Sequence, residues 1–521
     1  MHRILIADTL DPSGLALFEQ AGVDVYQLKA EERPRLAEIL EDFDALVVRS
    51  TTQVTADLLR PGSRLKVVGR AGIGVDNVDV AAATEAGILV VNAPTANLMS
   101  ATEHTFALLL SLARRVPEAD ASMKAGGWDR KLTGVELQGK TLGVIGFGRI
   151  GQRVADRARG FEMKVLAYDP FLDAAAARRL DVELLPLEDL LRQADVLTFH
   201  VPLTEQTKNL LDRERIRLLK KGALVVNCAR GGVIDEEALL EALESGHLGG
   251  AALDVFAEEP PEDLRLVRHK RVVATPHLGA QTREAQERIS IETAQMVLEA
   301  LSGSLAIAAV NLPFRAAGGR VEPFMALAEA LGRMACSLLG TAPQRLQVDI
   351  WGLDDTFRAP VTVAALKGVL MPFLGEAVNY VNAERVAEAR GIEVVRSTHS
   401  APGEYPQLVD VTLSGGGRSV ELGGTLFGDR DPRVVRFENY RLEFRPAGNL
   451  LVLENLDRPG VVGKVGTLLA DAEVNIADIH LARRGQEALA VLRLDQEPTA
   501  ALLAQLTSLP EVKSARRVVL G

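Results

Sequence analysis

The six residues Gly146-Phe147-Gly148-Arg149-Ile150-Gly151 constrain the fold more than any other stretch of this chain. The apolar run Thr141-Leu142-Gly143-Val144-Ile145 precedes them and reads as a strand, and Gln152–Ala158 follows as a helix. A second apolar run, Lys164–Tyr168, ends at Asp169, 18 residues past Gly151. Strand, glycine turn, helix, strand and acid in this order predict a dinucleotide-binding unit. The glycines let backbone N–H groups approach a pyrophosphate, and the helix N-terminus adds partial positive charge. A carboxylate at Asp169 suits the adenosine ribose hydroxyls and repels a 2′-phosphate, which argues for NAD over NADP.

The same alternation starts at the N-terminus. Residues 1–98 offer strands at Ile4–Ala7, Val23–Gln27, Ala45–Val48, Lys66–Val68 and Leu89–Asn92, with helices at Pro34–Glu41 and Val78–Glu85. This predicts an α/β unit with a mostly parallel sheet. Arg49-Ser50-Thr51-Thr52 and Gly69-Arg70-Ala71-Gly72-Ile73-Gly74 both follow strands, so both are expected at the carboxyl edge, where open α/β sheets bind ligands. Ser100–Gly126 reads as one long helix. The next strands are Leu142–Gly146, Val165–Tyr168, Val196–His200, Ala223–Asn227, Ala251–Val255 and Val272–Ala274, six in all, enough for a complete Rossmann-type doubly wound sheet. Helix Thr282–Ser302 is expected to return the chain to the first unit and make that unit discontinuous.

A chain of 521 residues exceeds one ordinary core, and roughly three to four domains are expected. Pro313–Gly319 reads as a linker. Beyond it lies a mixed α+β segment to about residue 446. It has helices at Pro323–Leu339 and Val361–Leu374, strands at Leu346–Trp351 and Leu408–Leu413, and a hairpin turn at Gly415-Gly416-Gly417 before strand Ser419–Leu422. No catalytic constellation stands out there. From Gly448 the order is strand Leu450–Glu454, helix Gly460–Asp471, strands Ile476–Leu481 and Ala488–Arg493, helix Thr499–Thr507 and strand Val512–Val519. That is the ferredoxin-like βαββαβ order, whose open sheet often pairs with a copy of itself.

Charge and cysteine usage exclude several classes. Lys plus Arg number 59 against 70 Asp plus Glu, a net charge of −11 spread along the chain, which disfavours nucleic acid as a partner. Cys228 and Cys336 stand alone, with neither a disulfide framework nor zinc spacing, so no metal is expected. Met1–Asp8 runs into a strand pattern instead of a signal peptide. The longest apolar helical stretch, Phe106–Ala113, is too short for a bilayer. A cytoplasmic setting without membrane contact is expected.

Arg230, Glu259 and His277 follow successive strands of the second unit, at the same expected edge as the glycine turn. Hydride transfer to or from a hydroxy or keto acid needs these groups. A guanidinium holds the carboxylate and polarises the carbonyl. An imidazole moves the hydroxyl proton. A carboxylate against the imidazole orients it and favours its charged form.

At these residues the chain resembles the D-2-hydroxyacid dehydrogenase family. The matching motifs are Gly146–Gly151 with Asp169, Asn227-Cys228-Ala229-Arg230-Gly231-Gly232, Asp254–Pro260 and Pro276-His277-Leu278-Gly279-Ala280. The resemblance implies that Arg230, Glu259 and His277 are catalytic. It implies NAD contacts from Gly146, Gly148, Arg149, Ile150, Gly151, Asp169, Val201, Pro202, Cys228, Ala229, Arg230, Asp254, His277, Gly279 and Ala280. Within the family, the long-form members acting on 3-phosphoglycerate are the nearer likeness. Their substrate loops resemble Arg49-Ser50, Gly69–Asn77 and Trp128-Asp129-Arg130-Lys131, which implies substrate contacts from Arg49, Ser50, Arg70, Gly72, Ile73, Gly74, Arg130 and Lys131, the last pair reaching a neighbouring subunit. Many relatives carry Thr where this chain has Ile73, so a hydroxyl contact to the cofactor is lost here. The implied architecture is a discontinuous flavodoxin-like substrate domain (1–98 and 286–312), an NAD-binding Rossmann domain (99–285), an intervening regulatory domain (318–446) and a C-terminal ACT domain (448–521).

The ACT resemblance implies L-serine as an effector and a homo-oligomer, dimer or tetramer. Asp457 precedes the first helix of that module and Asn475 its second strand, and the two are expected to meet at one edge where paired modules join. Asp457 suits an ammonium group, and Asn475 both donates and accepts. Two alternatives share these motifs: a dehydrogenase for lactate, glycerate or formate, and an NAD-sensing binding protein of the same fold.

Overall fold

The computed structural model describes residues 1–304, 309–314, 319–400 and 404–520. Part of the expected linker, residues 315–318, lies outside the described residues.

The first sheet comprises β1 (Arg3–Ile6), β2 (Asp24–Gln27), β3 (Ala45–Val48), β4 (Val67–Arg70) and β5 (Leu89–Asn92). All pairs are parallel, in the order β2-β1-β3-β4-β5. β3 is buried at every position, as expected for a parallel strand covered on both faces. Instead of one helix over Pro34–Glu41, a 3₁₀ segment Ala30–Arg35 leads into the short helix Leu36–Leu40. Pro34 lacks the N–H that a longer α-helix needs there. Helix Arg283–Leu301, N-capped by Thr282, packs on helix Pro12–Gln20, β4 and β5. Ser290 seals that return, donating to the Asp11 carbonyl and accepting from the Gly14 N–H.

The second sheet comprises β6 (Thr141–Ile145), β7 (Lys164–Tyr168), β8 (Glu183–Leu184), β9 (Val196–Phe199), β10 (Leu224–Asn227), β11 (Gly250–Leu253) and β12 (Val272–Ala274). The order is β8-β7-β6-β9-β10-β11-β12, all parallel. It has seven strands instead of the expected six, because the two-residue β8 is too short to show any periodicity. The expected helix Ser100–Gly126 is also two helices, Leu98–Ala113 and Val116–Lys124, broken at Arg115 in the left-handed region with φ 54°. Pro117 cannot donate to the Ala113 carbonyl, which accepts from the Val135 N–H at 2.8 Å instead.

A third sheet holds β13 (Arg345–Trp351), β14 (Glu393–His399), β15 (Leu408–Gly415), β16 (Arg418–Phe427), β17 (Asp431–Phe437) and β18 (Tyr440–Phe444), ordered β14-β13-β15-β16-β17-β18. Helices Glu322–Leu339 and Arg358–Leu374 pack together beside it. A Cβ on Gly332 would lie 2.1 Å from the Ala365 carbonyl, and one on Gly368 2.1 Å from the Glu329 carbonyl, so the backbones cross closely only through these glycines. Among the described residues the stretch Asp355–Ala377 is the longest apolar helical run, in place of Phe106–Ala113. Its length and composition would suit a membrane, yet Val361, Val363, Leu366 and Val369 are buried in this core.

The last sheet holds β19 (Gly448–Leu456), β20 (Ile476–Arg484), β21 (Glu487–Leu494) and β22 (Val512–Leu520), ordered β20-β21-β19-β22 with antiparallel pairs. Leu450, Val452, Leu489, Val491, Val518 and Leu520 from this sheet share one core with the third sheet and its helices. Arg516 also donates to the Leu338 carbonyl. The C-terminal module is therefore welded to the unit before it.

Candidate active site

Local sterics shape the nucleotide turn. Gly146 ends β6 with φ 87°, and a Cβ there would lie 2.5 Å from the His200 carbonyl oxygen. A Cβ on Gly151 would lie 2.2 Å from the Gly146 carbonyl oxygen. Gly148 differs: it N-caps helix Arg149–Gly160, and a Cβ there would meet nothing within 4 Å. Open space thus lies before the helix N-terminus, where unpaired N–H groups and the positive dipole end suit an anion. Asp169 is braced against this turn, accepting from the Phe147 N–H at 2.8 Å and the Phe171 N–H at 2.9 Å. Each oxygen keeps a lone pair for a further donor. A cleft of about 590 Å³ lies alongside, lined by Thr95, Leu98, Met99, Arg149, Gln152 and Asp156. This set fits the pyrophosphate and ribose of a dinucleotide.

Glu259 and His277 form a pair beyond β11 and β12. His277 Nδ1 lies 2.8 Å from Glu259 Oε2, and Glu259 Oε1 accepts from the Phe256 N–H at 3.1 Å. Burial raises the Glu259 pKa, but the hydrogen bond and charge of His277 outweigh it and hold the carboxyl below its usual value. His277 has φ 55°, held there by its own N–H donating to the Asp254 carbonyl at 2.8 Å. The Asp254 carboxylate continues the brace, accepting from the Leu278 N–H at 2.8 Å and the Gly279 N–H at 2.9 Å. His277 keeps 46% of its side chain exposed, so its ring is accessible. The other nearby candidates are inert. Burial pushes His200 down to about 3, so it stays neutral, and burial pushes the Cys228 thiol up to about 12.

Arg230, just past β10, reaches across to the loop after β4. Its Nε donates to Asp76 at 2.9 Å, and Asn227 fixes its backbone by donating to the Arg230 carbonyl at 2.8 Å. A Cβ on Gly74 would lie 1.9 Å from the Arg230 guanidinium. A Cβ on Gly72, at φ 150°, would lie 1.6 Å from that of Arg70. The two glycines let the Gly69–Asn77 loop wrap both arginines. Arg70 Nε is buried without a hydrogen-bond partner among the described residues. Burial, then the charge of Arg230, with a further contribution from Arg49, pulls the Arg70 pKa down to about 10 against the opposing pull of Asp76. It stays protonated at neutral pH, leaving a cationic cluster suited to an anion. Asn92 Nδ2 donates to the Ile73 carbonyl at 2.6 Å, so the loop at Ile73 is anchored through backbone.

Several supporting residues escaped the sequence reading. Asp8, at the end of β1, accepts from the Arg49 N–H at 2.7 Å and from Arg33 at 2.8 Å. Burial raises its pKa, but the bonds from Arg33, Arg49 and Thr52 more than reverse that. Asn77 donates to the carbonyls of Arg49 and Thr52 at 2.6 Å, tying the two arginine loops together. His104, on helix Leu98–Ala113, reaches Asp254 at 3.0 Å. For Asp8 the available signal was an acid at the same strand edge as Arg49.

Other expected residues lie apart. Ser50 is exposed beside Arg49, and Val201 and Pro202 follow β9 next to the glycine turn. Arg130 and Lys131 are exposed, and no hydrogen bond or ion pair among the described residues joins their side chains to the arginine cluster. Asp457 and Asn475 do not meet within one chain. Asp457 pairs with Arg483 at 3.1 Å and its N–H donates to the Gln486 carbonyl, whereas Asn475 donates to Asp495 at 2.7 Å. The register Leu456↔Glu487 and Ile476↔Leu494 puts them at opposite ends of the sheet, roughly 25 Å apart at the usual strand rise. A strand–helix–strand crossover always starts its second strand at the end opposite to where the first finished.

Comparison with known proteins covers the whole chain. Residues 106–279 match the family model for the D-isomer specific 2-hydroxyacid dehydrogenase NAD binding domain. Residues 320–438 match the D-3-phosphoglycerate dehydrogenase intervening domain, and 449–511 the ACT domain. The chain is 39% identical to the D-3-phosphoglycerate dehydrogenase of Bacillus subtilis, over 99% of each chain. It is 41% identical to that of Methanocaldococcus jannaschii, over 98% of this chain and 99% of the relative. Among solved structures, the TT0316 protein of Thermus thermophilus superposes with a TM-score of 0.55 at 37% identity, covering 59% of this chain and 99% of that one.

Proposed function

The chain belongs to the D-3-phosphoglycerate dehydrogenase family, and from that premise we propose how its residues divide the work. The reaction is oxidation of 3-phospho-D-glycerate to 3-phosphohydroxypyruvate, the entry to L-serine biosynthesis. NAD, when bound, accepts the hydride from the hydroxyl-bearing carbon. His277 donates through Nδ1 to Glu259, which leaves Nε2 as the basic atom facing outward. Nε2 takes the hydroxyl proton, and Glu259 stabilises the imidazolium that results. Arg230 holds the carboxylate and polarises the forming carbonyl.

The observation that carries this reading is the cluster Arg49, Arg70 and Arg230 with its unpartnered Nε. A plain monocarboxylate calls for fewer cations than a substrate with a carboxylate at one end and a phosphate at the other. The test is NADH formation with 3-phosphoglycerate and with unphosphorylated glycerate. A much higher kcat/KM for the phosphorylated substrate is expected, and equal or inverted values would overturn the reading. We divide the chain into a substrate unit (1–98 with 286–312), a nucleotide unit (99–285), an intervening unit (318–446) and the C-terminal module (448–521). Residues 305–308, 315–318, 401–403 and 521 lie outside the described residues. The chain acts as a cytoplasmic homo-oligomer in which Arg130 and Lys131, beside the 76% exposed Trp128, approach the phosphate of a neighbouring subunit.

Cofactor choice rests on Asp169. Asp169→Ala is expected to weaken NAD and to narrow the ratio of kcat/KM for NAD over NADP, because the ribose acceptor and the repulsion of a 2′-phosphate vanish together. The variant also frees the Phe147 N–H from its brace. An unchanged ratio would place the ribose elsewhere.

L-serine is the effector in this reading, held between two copies of the C-terminal module. Antiparallel pairing of the edge strand β20 about a two-fold axis brings the Asp457 end of one copy against the Asn475 end of the other. Serine inhibition of the full-length chain is expected, with Asp457→Ala insensitive at a concentration that halves wild-type turnover. The full chain is the sample to use because the module shares its core with the preceding unit. Asp457→Ala inhibited as well as wild type would remove this site.

A further inference from the structure

Asp254 has a donor that the reaction does not use. His104 lies 150 residues away in sequence, on helix Leu98–Ala113. Its Nε2 is 3.0 Å from Asp254 Oδ1 and 3.1 Å from the Thr275 hydroxyl oxygen. That hydroxyl donates to the same Oδ1 at 2.6 Å. An ionised carboxylate can only accept, so the hydrogen sits on Nε2 of His104. Together with the Leu278 N–H, Oδ1 is thus served by His104 and Thr275, while among the described residues Oδ2 accepts only from the Gly279 N–H. A Cβ at Gly279 would lie 3.2 Å from Oδ2, so glycine there limits crowding on the less occupied oxygen.

The position of Asp254 identifies what the free capacity serves. The His277 N–H donates to its carbonyl, so Asp254 lies at the proton-transfer end of the site, away from Asp169. The part of NAD that belongs at that end is the nicotinamide, whose carboxamide carries N–H donors. We propose that His104 is a positioning residue for the nicotinamide: it holds Asp254 as an ionised acceptor in one orientation, with Oδ2 turned to the carboxamide. The inference rests on the NAD-dependent reading above and deepens it.

The charges around Asp254 make the donor matter. Asp254 is 1% exposed, and burial favours its neutral form. Glu259, from the loop after β11, adds negative charge on the same side, paired with His277 from the loop after β12. Cys228, from the end of β10, stays a neutral thiol. The hydrogen bonds from His104, Thr275 and Leu278, together with the electrostatic attraction of His104, bring the carboxyl below its usual value. Without the His104 N–H, Asp254 takes up a proton at higher pH and loses its acceptor there.

The test is NADH affinity of the full-length protein as a function of pH, by fluorescence titration. His104→Ala is expected to weaken NADH about tenfold at neutral pH, the usual effect of losing a hydrogen bond to a charged group. The acid limb of binding should rise by about one pH unit. KM for 3-phosphoglycerate should change by less than about twofold, since His104 touches no substrate group. His104→Gln, which keeps a side-chain N–H, should restore both affinity and acid limb. His104→Met fills a similar volume without a donor and replaces the alanine variant if that does not fold. NADH binding by either donorless variant with wild-type affinity and pH dependence would overturn the proposal, as would a His104→Gln protein as impaired as they are. Failure of the NAD-dependent reading looks different: wild-type protein would then form no NADH from 3-phosphoglycerate.

Discussion

Replacing His277 by alanine is expected to lower kcat by ~10² or more, the usual worth of a general acid–base group, while NADH affinity stays close to wild type. The selectivity of that loss follows from how the loop is held. Among the described residues the His277 ring bonds only Glu259, whereas the peptide around it is fixed by the Asp254 carbonyl and carboxylate through the N–H groups of residues 277, 278 and 279. Truncating the ring therefore leaves the loop in place. The left-handed backbone at His277 carries about the same strain for alanine, so stability should change little from that source. His200 cannot substitute, because burial keeps it neutral. Stopped-flow single turnover separates the steps: the hydride step should slow while the NADH binding phase persists. Near-normal turnover would remove His277 from the mechanism, and a parallel loss of NADH affinity would recast it as a cofactor contact.

What the sequence revealed follows from the range of each interaction. The glycine turn and Asp169 are local, spaced along a single βαβ unit, and the structure sets them side by side as the spacing predicts, with the Phe147 N–H donating to Asp169. The placement of Arg230, Glu259 and His277 just past successive strands was legible because a parallel sheet delivers the end of every strand to one edge, so position relative to a strand stands in for position in space. Asp8, Asn77 and His104 act through contacts between distant stretches, and His104 in particular reads as one polar residue on an apolar helix. The break at Arg115 had its local signal in Pro117, but Ala119, Ala121 and Ala125 carry a helical composition past it, while the Ala113 carbonyl finds its partner at the distant Val135. The separation of Asp457 from Asn475 was open to derivation from topology, since the intervening helix Val461–Asp471 carries the chain the length of the sheet. The welded core of the last two units left a local trace in the unbroken apolar runs Leu450–Leu453 and Ala488–Leu492, which are buried on both faces, but nothing in those runs names what covers the second face.

Arg70→Met is expected to reduce kcat/KM for 3-phosphoglycerate by about 10- to 100-fold, corresponding to the roughly 1.5–3 kcal/mol of a hydrogen bond to a charged group. Activity on an unphosphorylated 2-hydroxy acid should fall much less, so the ratio between the two substrates should shrink. Methionine keeps an apolar stem to pack beneath the Gly72 turn and deletes only the charge and its donors. The same change should leave Tm unchanged or higher. Arg70 is half-buried, its buried Nε has no partner among the described residues, and the charges of Arg230 and Arg49 oppose its own. Such an arrangement burdens the ligand-free protein and becomes favourable only when an anion enters. Lower catalytic efficiency combined with undiminished stability distinguishes a binding cation from a structural one, because breaking a structural ion pair lowers both. Arg49→Ala should shrink the substrate ratio in the same direction, as its backbone is held independently by Asp8 and Asn77. Equal losses on both substrates for Arg70→Met would assign it to the carboxylate in place of the phosphate. A marked drop in Tm would make it a structural residue and leave the phosphate to Arg49 and to the basic loop of a neighbouring subunit.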